Sequence, residues 1–325
     1  MPMGRRCAHA VLFLTVLLSA SAIAAQHVER AKAPDAALPP SYNDPLLGME
    51  FVLVQGGCFA MGDTFGDGIP DEELPVHEVC VDDLYVAKFQ VTNEQFKKFI
   101  KATGYRTTAE EEGTGWGLGQ YGPGKAEYRP GLDWQHPLWP GDSIENKMDH
   151  PVLQVSWSDA QIFARWLGSQ AGKAYRLLYE AEYEYAARSG GKQNKYSWGN
   201  GEPSGNVADT AFKKIFKYVK PEQMFENYRD GYTYTAPVGS FKPNELGLYD
   251  MTGNAFSWCE DWFNSEYYKD SPKMNPHGPD YGLERVARGG SWYNRPRFSR
   301  ASYRGYAPAD ARNDNIGFRL ALPVR

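Results

Sequence analysis

After Gly191 the chain returns to glycine, proline or an aromatic residue every few positions, and its only helix candidate is a short one at residues 210–218. Segments this short cannot each bury a continuous apolar face, so they favour small strands and turns packed on one another. Short strands are expected at residues 196–198, 236–238, 285–288 and 317–320. The abundance of Gly (33), Tyr (21) and Trp (9) points the same way. Convincing helix is confined to the chain before Gly191. Thr92 with Gln95 three residues on forms a capping box, and that helix runs through Phe96, Phe99 and Ile100 to Gly104. A second helix is read from Ser158 with Gln161, placing Ile162, Phe163, Trp166 and Leu167 on one face and ending near Gly172. A third spans Glu180 to Arg188. Residues 49–54 and 79–86 read as single strands. Long irregular stretches at 105–150 and 263–284 are of the kind that function or ligands hold in place. There is no internal repeat and no coiled coil.

The first residues predict export. Arg5 and Arg6 precede an apolar run at residues 11–18, and Ala22-Ile23-Ala24 supplies a small-x-small cleavage pattern. A signal peptide at residues 1–25 is expected, with an uncleaved anchor as the alternative. Residues 26–46, rich in Ala, Pro and Asp, read as a linker, and residues 47–325 as one large domain. No later stretch is apolar enough to span a bilayer. The net charge of -5 and the lack of a basic tract argue against a nucleic-acid partner. A periplasmic or secreted location suits the cysteines. Cys58 and Cys80 sit in strand-like runs that could pair, and a disulfide closing a loop of about 20 residues would contribute roughly 3 kcal/mol. Cys259, between Trp258 and Trp262, is then a lone thiol, expected to be a small buried residue.

The ordered motifs say more. They include Gly56-Gly57-Cys58-Phe59-Ala60-Met61-Gly62, Val91-Thr92-Asn93-Glu94-Gln95-Phe96, Asp149-His150-Pro151-Val152, and the run Glu180-Ala181-Glu182-Tyr183-Glu184-Tyr185-Ala186-Ala187-Arg188. Toward the C-terminus come Gly247-Leu248-Tyr249-Asp250-Met251-Thr252-Gly253-Asn254, Arg288-Gly289-Gly290-Ser291-Trp292 and Asn315-Ile316-Gly317-Phe318-Arg319. Together and in this order, over residues 48–323, they resemble the formylglycine-generating enzyme, or sulfatase-modifying factor, superfamily. The resemblance implies an α+β, C-type-lectin-like fold with little regular secondary structure.

It also implies structural calcium. At a first site Asn206 and Asp230 would give side-chain oxygens, and Val207 and Tyr232 carbonyls. A second would use Asp250, Gly253 and Ala255, although Ser257 stands where the family has a carboxylate. Solvated turns are the alternative at both. The family's aerobic enzymes hold copper(I) on two cysteines five apart after the Arg-Gly-Gly-Ser motif. Here those positions are Asn294 and Ser299, which supply no thiolate, so no copper is expected. The retained cleft frame is Ser291, Trp292 and Asn315, with Arg319 read as a buried structural charge. An iron-dependent relative uses histidines in an extra helical domain that this chain lacks. His77, His136 and His150 are expected to be hydrogen-bonded structural residues, and Glu110-Glu111-Glu112 a solvated run. The exported branch that matures the siderophore pyoverdine also lacks the cysteine pair. The expectation is therefore an exported maturation enzyme of oxidoreductase type, acting on a peptide or peptide-derived metabolite. No catalytic residue or redox cofactor is named by the sequence beyond the cleft candidates, and a non-catalytic binding or scaffold protein reusing the cleft is the alternative.

Overall fold

The computed structural model describes residues 40–118, 126–139, 141–217 and 219–324. The expected signal peptide and most of the expected linker lie outside them. In chain order the strands are β1 (Ser41–Asn43), β2 (Glu50–Val54), β3 (Gly57–Met61), β4 (His77–Val81), β5 (Leu84–Ala87), β6 (Thr114–Gly117) and β7 (Glu127–Pro130). They continue with β8 (Arg176–Leu177), β9 (Phe256–Trp262), β10 (Glu284–Arg288), β11 (Gly305–Pro308), β12 (Ile316–Phe318) and β13 (Leu320–Pro323). The helices are α1 (Pro70–Glu73), α2 (Asn93–Thr103), α3 (Thr108–Glu112), α4 (Trp157–Ala171), α5 (Glu180–Ala187) and α6 (Thr210–Ile215). Among the described residues no helix is long and apolar enough to cross a membrane.

Two sheets carry the fold. One has the order β1-β2-β5-β13-β8 and the other β11-β10-β9-β12, with β3-β4 and β6-β7 as separate hairpins. The last strand, β13, pairs with both β5 and β8, so the C-terminus closes a sheet begun by the N-terminal strands. β1 falls inside the stretch read as linker. Its residues pair antiparallel with β2, and the buried Asp44 turns the chain by accepting the Leu47 N–H at 2.6 Å, so order starts earlier than expected. The run 79–86 is two strands, because Asp82 and Asp83 break it.

α2 begins at Thr92 with both halves of its capping box formed and ends at Gly104 in the left-handed conformation, as its sequence predicts. The cap of α4 differs from expectation. Ser156 and Asp159 form the box, and Ser158 lies inside the helix. Glu110 is similarly not a free surface charge, since its carboxylate closes the box of α3 on the Thr107 N–H at 2.8 Å. Helices α2 and α4 bury Phe96, Phe99 and Phe163 against Phe318, with ring centroids 5.2–6.4 Å apart. Residues 196–198 and 236–238 form turns and irregular chain instead of strands. At the first, Tyr196 and Trp198 stack at 4.8 Å.

Beneath β10 lies a buried ionic layer. Glu184 is 0% exposed, accepts the Arg188 Nε–H at 2.9 Å and the Gly62 N–H at 3.0 Å, and also bonds Arg288. Glu180 takes Arg304 through both oxygens, at 2.7 and 2.8 Å. Burial works against the Arg288 charge, but Glu184, Tyr268 and Glu180 more than offset it and hold the guanidinium above its ordinary range. Arg319 is fully buried too, and donates to the Ala87 carbonyl at 2.6 Å and to the Tyr249 carbonyl. Cys58 and Cys80 face each other across β3 and β4 and are disulfide-bonded, while Cys259 is a free thiol that burial pushes up in pKa.

Candidate functional site

β10 ends at Arg288, which the ionic layer anchors, and the next two residues turn the chain sharply. Gly289 and Gly290 have φ of 99° and 73°, and a Cβ on Gly289 would meet the Tyr183 hydroxyl at 2.3 Å. This turn delivers Ser291, Trp292 and Asn294 as a buried cluster. Ser291 Oγ donates to Asn294 Oδ1 and accepts from Asn315 Nδ2 at 3.4 Å. Trp292 Nε1 donates to the Asp314 carbonyl at 2.9 Å. Ser299 Oγ reaches the Asn294 and Arg295 carbonyls at 3.3 and 3.2 Å. All five candidates named from the sequence, Ser291, Trp292, Asn294, Ser299 and Asn315, therefore belong to one constellation.

The sequence reading passed over Asp314. Its side chain is 1% exposed, Oδ2 accepts the Leu118 N–H at 2.7 Å, and Oδ1 has no partner. Burial pushes its carboxyl up to about 7. Tyr293 and Tyr234 titrate above their ordinary range, first from burial, then from the Asp314 charge at Tyr293 and from Asp142 followed by Asp314 at Tyr234. Around them stand Trp292, 5.2 Å from Tyr234, and Trp139, 5.3 Å from Tyr234. The only local sign of Asp314 is its place beside Asn315, and its surroundings come from segments far apart in sequence.

The residues expected at the first calcium site also gather. Asn206 is 1% exposed; its Nδ2 donates to the Tyr234 carbonyl and to Asn254 Oδ1 at 2.8 and 3.0 Å, which leaves Oδ1 buried and unpartnered. Asp230 accepts the Val207 and Tyr232 N–H groups at 3.1 and 2.7 Å. Burial and the nearby charge of Asp209 drive the Asp230 carboxyl well above its usual range. Asp209, missed as a site neighbour, caps α6 and accepts the Asp230 N–H at 2.7 Å. A buried orphan amide oxygen beside two crowded carboxylates fits a hard dication.

The second set does not fit. Burial pushes the Asp250 carboxyl up, opposed only in part by the Arg319 charge, and the carboxylate accepts the Gly239 N–H at 2.8 Å. The Ala255 carbonyl is taken by the Gln90 amide, and Gly253, at φ 92°, serves to let the chain pass the Asn206 carbonyl. These residues build a turn, so calcium is carried forward only at the first site. The histidines have local partners: Pro75 O for His77, Asp133 for His136 and Thr235 for His150.

The chain matches the family described as the sulfatase-modifying factor enzyme 1-like domain over residues 39–324. It belongs to the sulfatase-modifying factor family. Within the family it is 38% identical over 288 residues to the formylglycine-generating enzyme of Streptomyces coelicolor, covering 83% of this chain and 88% of that protein. It is 33% identical over 295 residues to the inactive C-alpha-formylglycine-generating enzyme 2 of Bos taurus, covering 84% and 88%. The structure of PvdO from Pseudomonas aeruginosa superposes with a TM-score of 0.65 at 29% identity, over 89% of this chain and 100% of that chain. The fold is thus the family's C-type-lectin-like α+β fold. The match to PvdO is in line with the resemblance to the pyoverdine-maturation type drawn from the sequence.

Proposed function

We propose that this family member is an exported maturation enzyme of oxidoreductase type, acting on a peptide or peptide-derived metabolite, and that it does not generate formylglycine with copper. The observation that carries the reading is the pair Asn294 and Ser299. They adjoin at the two positions where the resemblance calls for cysteines; Asn294 Oδ1 accepts from Ser291 and Ser299 Oγ donates to main-chain carbonyls. Oxygen ligands of this kind hold copper(I) weakly. Cys259 is fully buried on β9. Calcium at Asn206, Val207, Asp230 and Tyr232 would stiffen the loop that carries Tyr234 to the cleft. The chain's own residues supply an aromatic wall, a serine–asparagine cluster that orients a substrate, and one buried carboxyl able to hold or release a proton near neutral pH.

The second reading is a binding protein that reuses the cleft. It is favoured by the absence of any cleft thiol among the described residues and by the likeness to a relative named as inactive. Incubating the secreted protein with a sulfatase-type cysteine peptide, copper(I) and oxygen tests the copper part of the proposal. Mass analysis is expected to show the thiol unchanged. Aldehyde formed in proportion to protein and copper would overturn it.

A further inference from the structure

The proposed reading leaves the chemistry of the substrate open, and unpaired oxygens around the Ser291–Asn294 cluster narrow it. Asp314 Oδ1, Asp142 Oδ2 and Asn315 Oδ1 are buried and have no hydrogen-bond partner. Their residues are 1%, 7% and 6% exposed. With both carboxyls ionised all three atoms are acceptors, and a buried acceptor without a donor is costly. Three half-buried rings stand near them: Tyr234 and Tyr293 pack on the buried Trp292, and Trp139 packs on Tyr234. Aromatic faces and carboxylates together attract one class of group, an organic cation with N–H donors.

The same pairing is already present at Asp142. The Lys147 ammonium lies 5.9 Å from the Trp139 ring centre and 2.7 Å from Asp142 Oδ1. Asp142 is therefore half-satisfied by a lysine, whereas Asp314 has only the Leu118 N–H on its other oxygen. Asp314 lies against the same framework as the cleft candidates, since its carbonyl accepts the Trp292 indole N–H and its neighbour Asn315 bonds Ser291.

We propose that the wall of Trp139, Tyr234, Trp292 and Tyr293, with Asp314 as its charge, binds an ammonium group, so that the molecule acted on carries a primary amine. This rests on the cleft being the working site. The buried Asp314 carboxyl, which prefers its proton when alone, becomes the counter-ion once an ammonium sits beside it.

The test is direct binding to the calcium-saturated full chain, followed by titration calorimetry. The probes are phenethylammonium, the neutral 2-phenylethanol and the anionic phenylacetate, which share a ring and differ in charge. The cation is expected to bind at least about tenfold more tightly than the alcohol, and phenylacetate least. Asp314→Asn keeps the shape and an acceptor for Leu118, and is expected to abolish the preference for the cation over the alcohol. Trp139→Leu, at a half-exposed position, is expected to weaken the cation several-fold. Equal binding of cation and alcohol by the wild type, failure of the cation to bind by about 10 mM, or a preference that survives Asp314→Asn would overturn the inference. If the Asn variant does not fold, the wild-type comparison still decides. An ammonium preference without any turnover would leave this inference standing and count against the enzymatic reading. Turnover without the preference would do the reverse.

Discussion

Replacing Glu184 by Gln removes one negative charge from a place where two positive charges depend on it. Glu184 is 0% exposed, and the side chains of Arg188 and Arg288 are 1% and 0% exposed. The substitution keeps volume and some hydrogen bonding, but leaves Arg188 with only the Gly62 and Asn194 carbonyls and Thr64, and Arg288 with three carbonyls and a distant Glu180 at 3.7 Å. Breaking a buried pair on one side costs about 3–5 kcal/mol, because the surviving charge stays desolvated. That is a large part of a domain stability of about 5–15 kcal/mol. It corresponds to a fall in melting temperature of roughly 6–20 °C for a domain this large. The exposed pair of Lys192 and Glu245, at 54% and 64%, is the internal control, and Glu245→Gln should cost less than about 1 kcal/mol. Urea unfolding of the wild type and both variants, read by tryptophan fluorescence, makes the comparison. Because Arg288 leads into the Gly289-Gly290-Ser291 turn, near-ultraviolet dichroism of Glu184→Gln should also change. A midpoint for Glu184→Gln as close to wild type as that of Glu245→Gln would refute the reasoning.

Calcium at 100 times its dissociation constant should stabilise the fold by about 2.7 kcal/mol. A chelator should lower the melting temperature, calcium should restore it, and Asp230→Ala should remove most of the response; a melting curve indifferent to chelator would sink the assignment. Asp314, raised to about 7 against an ordinary 3.8, keeps a proton in the folded chain that the unfolded chain gives up. Its contribution therefore makes stability fall as pH rises from about 4 to 7, by at most about 4 kcal/mol, and Asp314→Asn should flatten that fall in urea midpoints at pH 5 and 8. Identical pH dependence in both proteins would contradict it.

What was legible in the sequence was local. The Thr92 box and the Gly104 stop are spelled out within one turn of chain, and so was the possibility that the Cys58 and Cys80 runs pair. Local signals also misled where two candidates competed, as at Ser156 and Ser158, and where a polar pair such as Asp82-Asp83 split an apolar run. β1 went unread because its three residues gain strand character only by pairing with β2. The cleft candidates followed from a motif, and the structure brings them together. Asp314 did not, because its character comes from burial, and the groups it meets, the Leu118 N–H, Tyr234 and Tyr293, are connected by no spacing in the sequence. Asp250 and Ala255 resemble ligands in sequence, but the structure gives them the Gly239 N–H and the Gln90 amide as partners, the second remote in sequence.

The central claim is that the cleft has kept its frame and lost its copper chemistry. Competition for copper(I) against a chromophoric chelator tests this most directly, comparing the wild type with Asn294→Cys plus Ser299→Cys. Ser299 Oγ already reaches the Asn294 carbonyl at 3.3 Å, so the two positions adjoin. The wild type is expected to leave the chelator's copper untouched and the double variant to withdraw about one equivalent, since two thiolates suit the soft ion and an amide and a hydroxyl do not. A wild-type protein that withdraws one equivalent by itself would contradict the account.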